Sequence, residues 1–198
     1  MKKSLRFPVL ALALALPLGA QAGDLSYSYV EAGWATTELD VGDGFDSVDF
    51  DGWLLRGSVA LGDTFFLAGE YASQTNDDAG VDIDLDQYNL GLGAHYALSD
   101  NADLVGQISW VKAEVSAAGF GSVSDDGYGL SVGVRGRLGE QFEGEVALKY
   151  ADFSDGGDST AGFLAGRWYF TEAFAVGVNA QFDEDTTSYG IGLRYEFK

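Results

Sequence analysis

Leu61-Gly-Asp-Thr-Phe65 places a short acidic turn between two large apolar residues, and the chain repeats this pattern three more times. The other copies are Leu98-Ser-Asp-Asn-Ala-Asp-Leu104, Leu138-Gly-Glu-Gln-Phe142 and Phe170-Thr-Glu-Ala-Phe174. Each turn joins two stretches in which apolar residues alternate with polar or small ones, which is typical of a strand with two different faces. Tight turns separated by longer loops rich in Asp and Gly predict an all-β fold, a transmembrane antiparallel up-and-down β-barrel.

Ten strands are expected from this alternation, and an eight-stranded barrel is the alternative. The predicted strands are 25–37, 50–61, 65–74, 84–98, 104–115, 127–138, 142–153, 160–170, 174–183 and 187–198. The four short turns are expected in the periplasm. The connections on the other side include the longer segments 38–49, 75–83 and 116–126. This asymmetry is typical of outer-membrane barrels, and an even strand number puts both chain ends in the periplasm.

One face of the predicted strands is apolar, and its aromatic residues fall into two bands. The band near the loops contains Trp53, Tyr88, Trp110, Tyr128, Tyr150 and Tyr189. The band near the turns contains Phe65, Tyr96, Phe142, Phe170, Phe174 and Phe197. The two interfaces of a bilayer select such aromatic girdles. In a soluble β-sandwich the same residues would form a core and would have no reason to form bands, so the pattern favours a membrane barrel.

The opposite face carries charges of both signs, which we call the lumen charge ladder. It consists of Glu31, Arg56, Glu70, Arg135, Arg137, Glu143, Glu145, Lys149, Arg167, Arg194 and Glu196. An Arg or Lys facing hydrocarbon would cost roughly 2–4 kcal/mol at the midplane of the bilayer, so these residues are expected to face inward. There they can neutralise each other. A ten-stranded barrel is narrow, and the inward residues Tyr29, Phe163 and Tyr169 predict a well-filled polar lumen.

The first 22 residues have the pattern of a secretory signal peptide. Lys2, Lys3 and Arg6 precede an apolar run, and Ala20-Gln-Ala22 supplies small residues at the cleavage site. The domain prediction is therefore a signal peptide over 1–22 and an outer-membrane barrel over 23–198, with no further domain after it. The mature chain keeps eight basic residues and all 31 acidic ones, a formal net charge of −23. So acidic a chain is not expected to bind nucleic acid.

Several segments resemble the small outer-membrane β-barrel proteins of xanthomonads that are regulated by diffusible signal factor. The segments are Leu25-Ser-Tyr-Ser-Tyr-Val-Glu31, Asp51-Gly-Trp53 with Gly57-Ser-Val-Ala60, Asp86-Gln-Tyr88 before Leu90-Gly-Leu-Gly93, and Tyr189-Gly-Ile-Gly-Leu-Arg194. More broadly, the chain is similar to the opacity-type and OmpA-type group of barrels. The resemblance implies an outer-membrane barrel and supplies no catalytic residues. Such barrels end on an aromatic residue, whereas Lys198 follows Phe197 here.

The residues that could carry chemistry do not form a recognisable catalytic pattern. His95 is the only histidine and falls near the turn end of its strand, where it is expected to be a hydrogen-bonded lumen residue. The carboxylates of Asp82, Asp84 and Asp86 lack a His partner, so they are expected to form a solvated loop. We therefore expect no enzyme activity, no cofactor and no metal site. Oxygen-rich loops can still bind divalent cations, and the acidic loops leave that alternative open.

The functional prediction is a structural or surface barrel with a narrow or plugged lumen, acting as a monomer. The first alternative is a small channel for ions or solutes. The second is a surface adhesin or receptor, in which acidic loops contact divalent cations or lipopolysaccharide. The expected partners are outer-membrane lipid, lipopolysaccharide, periplasmic chaperones and the barrel assembly machinery. The expected location is the outer membrane.

Overall fold

Ten antiparallel strands close into one barrel in the computed structural model, which describes residues 25–40, 47–77, 82–117 and 119–197. The strands are β1 Tyr29–Leu39, β2 Val48–Leu61, β3 Phe65–Asn76, β4 Ile83–Ser99, β5 Ala102–Ala117, β6 Gly121–Arg137, β7 Phe142–Phe153, β8 Gly157–Tyr169, β9 Phe174–Phe182 and β10 Thr186–Glu196. Each strand pairs with its neighbours in sequence, and β10 closes the barrel against β1. The predicted ten-stranded up-and-down barrel is confirmed, and the eight-stranded alternative is wrong.

Short turns join the strands at one end of the barrel, where the sequence predicts them. Gly62 and Gly139 lie in two of these turns with φ angles of 76° and 89°. An L-residue with a side chain rarely adopts such angles, so glycine is the residue that allows the chain to reverse there. The described residues contain no helix that is long and apolar enough to cross a membrane.

The predicted loop at 116–126 is wrong, because most of it is strand. β5 continues to Ala117, β6 begins at Gly121, and the two remain in register with Val115 opposite Val123. The backbone ladder needs no apolar face once the strands leave the bilayer, so it continues through Ser and Asp residues that suggested a loop. Gly119 and Gly121, with φ angles of 87° and 88°, allow the reversal.

The first strand begins four residues later than predicted, at Tyr29 instead of residue 25. Residues 25–28 precede the strand, and the side chain of Tyr27 is buried. β6 and β8 begin earlier than predicted, at Gly121 and Gly157. The predicted signal peptide 1–22 lies outside the described residues, as do parts of the predicted loops 38–49 and 75–83.

The outer surface of the barrel is apolar and exposed. Ile108, Val178 and Ile191 are 58%, 58% and 55% exposed. All four tryptophans are also exposed, namely Trp34, Trp53, Trp110 and Trp168. A soluble protein does not present a continuous belt of this kind, whereas hydrocarbon solvates it favourably.

Candidate functional site in the barrel lumen

The strand alternation puts all eleven residues of the predicted lumen charge ladder on the inner side of the barrel. They come from seven strands, β1, β2, β3, β6, β7, β8 and β10, and ten of the eleven take part in ion pairs. They are not spaced evenly like rungs. Most of them converge on two carboxylates, Glu143 and Glu31.

Glu143 is the centre of the first group, and its side chain has no exposure to solvent. Arg135 binds it in a bidentate pair, with Nε to Oε1 at 2.8 Å and NH2 to Oε2 at 3.0 Å. Arg167 NH1 donates to the same Oε1 at 2.7 Å and to Glu145 Oε2 at 3.0 Å. Bidentate charge-assisted bonds are the strong kind, and they fix the geometry of this group.

Glu31 is the centre of the second group. Arg194 Nε donates to Glu31 Oε2 at 2.8 Å, its NH2 lies 2.8 Å from the same oxygen, and its side chain is 1% exposed. Arg56 NH1 reaches Glu31 Oε1 at 3.5 Å, while its Nε donates to Glu70. Arg167 Nε lies 3.8 Å from Glu31, so this arginine connects the two groups into one cluster.

Glu196 and Tyr169 complete the cluster near the turn end. The Tyr169 hydroxyl donates to Glu143 Oε2 at 3.0 Å and contacts Glu196. Arg137 lies over the Tyr169 ring at 3.8 Å, and its NH2 is 3.6 Å from Glu196. The Arg194 guanidinium lies over the Tyr29 ring at 3.6 Å. The aromatic rings therefore fill the space between the charges.

Lys149 is the residue of the ladder that the structure places apart. Within the described residues its ammonium forms no ion pair; it donates to Gln181 Oε1 at 3.0 Å and lies over the Phe163 ring at 4.1 Å. The alternation of faces along β7 could put Lys149 in the lumen, but it could not predict the position of Lys149 along the barrel axis relative to the carboxylates. Arg56 lies over the same Phe163 ring at 6.0 Å, so amides and charges line this part of the lumen together.

Tyr27, Asp103 and His95 form a buried network that the sequence did not predict. The Tyr27 hydroxyl donates to Asp103 Oδ2 at 2.8 Å, and His95 Nδ1 lies 3.0 Å from the same oxygen. The rings of Tyr27 and His95 are stacked, with centroids 4.0 Å apart. His95 thus lies in the lumen, against Asp103 and Tyr27. Tyr27 was missed because it was placed only within a longer predicted first strand, 25–37, which begins at Tyr29 in the structure.

A cavity of about 390 Å³ occupies the part of the lumen that the charge cluster leaves free. Its lining includes the amide residues Gln87, Asn89, Gln107, Asn179 and Gln181. It extends from Tyr27 and Phe66 at the turn end to residues near the loops, such as Ser159 and Thr186. The lumen is therefore closed by charges on one side and contains a polar cavity on the other.

The aromatic residues predicted as girdles lie on the outer face, and contacts join several of them. The stacked pair Phe170 and Phe174 and the tilted pair Phe174 and Tyr195 run across neighbouring strands at the turn end. At the loop end, Tyr71 contacts both Trp53 and Tyr88. Four aromatic residues extend the bands beyond the predicted set, namely Trp34, Tyr71, Trp168 and Tyr195.

Outward-facing carboxylates accept hydrogen bonds from the aromatic residues of the girdle at the loop end. Tyr71 donates to Asp86 at 2.9 Å, Trp110 to Asp126 at 3.2 Å, and Tyr128 to Asp152 at 2.8 Å. These bonds hold the polar tips of the rings where the bilayer meets water. Among the residues that the structure describes, no group of three His, Cys, Asp or Glu side chains is arranged to hold a metal ion.

Solved structures of other proteins include folds that are similar to this barrel. Among solved structures, the barrel is similar to the translocator domain of autotransporter NalP from Neisseria meningitidis, with a TM-score of 0.54, 11% identity and 94% of each chain covered. The attachment invasion locus protein Ail of Yersinia pestis has a TM-score of 0.47 and 16% identity over 85% of this chain and 97% of that one. The KdgM porin has a TM-score of 0.44 and 12% identity over 84% and 99%.

These likenesses concern the fold alone, and no curated protein sequence was found to match the chain. The sequence profile of one family, described as outer membrane protein beta-barrel domain, matches residues 9–197. The match covers nearly the whole chain and every described strand. The chain therefore belongs to the outer membrane protein beta-barrel domain family.

Proposed function

We propose that this outer-membrane barrel has a structural or surface role and that its lumen is closed at rest. The observation that carries the proposal is the cluster around Glu143 and Glu31. It joins arginines from β2, β6, β8 and β10 across the lumen, and its central side chains are almost completely buried. A barrel wall is held by its own ladder, so such a cluster closes the lumen without being needed to shape the wall.

The closed lumen predicts that the refolded wild-type protein does not conduct. In a planar lipid bilayer, we expect no stable current steps, because ions would have to cross buried, mutually paired charges. The matched control is an empty detergent preparation added to the same bilayer. Stable steps from the wild type, absent from that control, would contradict the closed lumen.

The orientation predicts which Cys variants react on intact cells. Asp155 is exposed in the turn between β7 and β8, and Glu140 is exposed in the turn between β6 and β7, at the opposite end of the barrel. The chain has no native cysteine, so Asp155→Cys should react with a membrane-impermeant maleimide and Glu140→Cys should not. Both should react after lysis. The reverse pattern would mean that the barrel is inserted with its short turns outside.

A small channel is the second candidate, and the cavity of about 390 Å³ favours it. The cavity would need an exit at the turn end, where Tyr27 lies. A surface adhesin or receptor is the third candidate, supported by the carboxylates near the outer girdle. Divalent cations could connect these carboxylates to the phosphates of lipopolysaccharide.

One observation bears on the expected partners of the barrel. The exposed apolar belt supports outer-membrane lipid as a partner of the barrel. The resemblance to the xanthomonad family, the monomeric state, and the roles of chaperones and the assembly machinery stay predictions. The absence of catalysis also stays a prediction, based on a single histidine that is occupied by Asp103 and Tyr27.

A further inference from the structure

Tyr27 lies inside the lumen at the turn end, although it precedes the first strand. Its side chain is 6% exposed. It contacts Phe66 on β3, His95 on β4, Asp103 on β5 and Arg135 on β6. β6 is the fifth strand from β1 around a ring of ten, so it lies on the opposite wall. Tyr27 therefore connects the entry of the chain to groups from the far side of the lumen.

The contacts of Tyr27 form a shaped socket. The ring stacks on His95 with an interplanar angle of 14° and on Phe66 with centroids 5.0 Å apart. Its hydroxyl donates to Asp103 at 2.8 Å. Phe66 itself lies against Gly93, where an added Cβ would come within 2.1 Å of the ring. The socket thus depends on the missing side chain of Gly93, and Tyr27 fills it.

The same ring forms the end of the cavity. From the loop end, the cavity passes the small residues Ala72, Ser109 and Ala68 and reaches Tyr27 and Phe66. Arg56, Arg135 and Arg167 of the charge cluster also line the cavity, whereas the two central carboxylates, Glu143 and Glu31, do not. Tyr27 is held by one hydrogen bond and by ring contacts, and it precedes the continuous ladder that starts at Tyr29. Displacing Tyr27 would therefore leave the barrel strands paired and the ion pairs around Glu143 and Glu31 in place.

We infer that the cavity is the outer part of a path for small neutral hydrophilic solutes and that Tyr27 is its gate at the turn end. The inference rests on the proposed closed state, since a gate requires a lumen that is closed at rest. Amide side chains line the path together with charges of both signs, such as Arg56 and Glu70. An amide both donates and accepts hydrogen bonds, as hydroxyl-rich solutes require. The mature chain is strongly acidic, so anions are repelled at its mouth. Neutral sugars fit both properties, whereas sugar acids fit only the first.

The test compares wild type, Tyr27→Ala and Tyr27→Phe in planar bilayers. We expect no current steps from the wild type. For Tyr27→Ala we expect a mean current at least about tenfold above the background current of the wild-type bilayer, because the wall stays fixed when its filling is removed. Tyr27→Phe keeps the stacking and loses the bond to Asp103, so it should show brief openings. The control is Tyr195→Ala, which removes the same residue type at the same end from the lipid-facing side. It should behave as wild type.

The outcomes separate the gate from the proposed function. Stable conduction by the wild type would refute the closed state. If neither the wild type nor Tyr27→Ala conducts, only the gate is refuted. Tyr27→Ala must then be shown to be folded, by the shifted electrophoretic mobility of its unboiled sample. If Tyr27→Ala does not fold, Asp103→Asn weakens the same socket from the wall and should also raise the current. Failure of that variant would likewise refute the gate.

Liposome swelling tests the class of solute. Vesicles containing Tyr27→Ala should swell faster in glucose than in glucuronate at equal osmolarity, and the difference should shrink at high salt as the acidic charge is screened. Equal rates at low salt, or faster entry of glucuronate, would overturn the assignment to neutral solutes.

Discussion

Replacing Glu143 by Ala should destabilise the barrel more than any other change in the lumen. Glu143 accepts from Arg135, Arg167 and Tyr169 and has no exposure to solvent. Removing it leaves buried arginines without their main counter-charge, and breaking a buried pair from one side costs about 3–5 kcal/mol. Urea unfolding in lipid vesicles measures this loss. The fluorescence of the four lipid-facing tryptophans is a suitable signal.

The matched control is Glu70→Ala, because Glu70 also pairs with an arginine but its side chain is 35% exposed. Arg56 keeps Glu31 as a partner at 3.5 Å and lines the cavity, so the loss should be about 1 kcal/mol or less. A double-mutant cycle of Glu143→Gln with Arg135→Gln should show a clear coupling energy. Equal losses for the two alanine variants, together with no coupling, would show that the cluster is solvated.

Placing a charge on the lipid face should have the second-largest effect. Ile108 is 58% exposed on the outer face, and its cross-strand neighbours there are Leu92 and Leu130. Ile108→Arg would expose a guanidinium to hydrocarbon, which costs about 2–4 kcal/mol near the midplane and less towards the interface. The same urea titration measures this loss of stability, and the folded fraction of Ile108→Arg at low urea should be below that of the wild type.

The adjacent residue provides the control for that variant. Gln107 points into the lumen, where its Nε2 donates to Asn89 Oδ1 at 3.3 Å. Gln107→Arg adds the same side chain one residue away but on the polar side of the wall, so its cost should be well below that of Ile108→Arg. A similar loss for both variants would mean that the outer belt does not face hydrocarbon.

The strand order and the two faces of the barrel could be predicted because both depend on local patterns. Turns such as Leu61-Gly-Asp-Thr-Phe65 set the strand ends, and alternation sets which residues share a face. The extension of β5 and β6 to Ala117 and Gly121 was missed. The residues there are polar on both faces, and pairing outside the bilayer leaves no apolar pattern to detect.

The composition of the charge cluster could be predicted only in part. Strand alternation puts Glu143 and Glu70 on the same face, but it does not give their positions along the barrel axis when the strands are tilted. Glu143 therefore emerged as a centre, and Lys149 as a residue bound to Gln181, only from the three-dimensional arrangement. Tyr27 was missed for a related reason, because its socket is built from four strands that are distant in sequence.

The pair of Glu31 and Arg194 has a consequence for the order of assembly. Its members are 163 residues apart, on the first and last strands, so the pair can form only when β10 meets β1. Before that seam closes, Arg194 at the β10 edge would lack Glu31 as its partner, and backbone groups at both edges would be unpaired in hydrocarbon. Closure of the seam and entry into the bilayer are therefore coupled. The residues that fill the finished lumen would destabilise an intermediate whose inner face opened towards lipid.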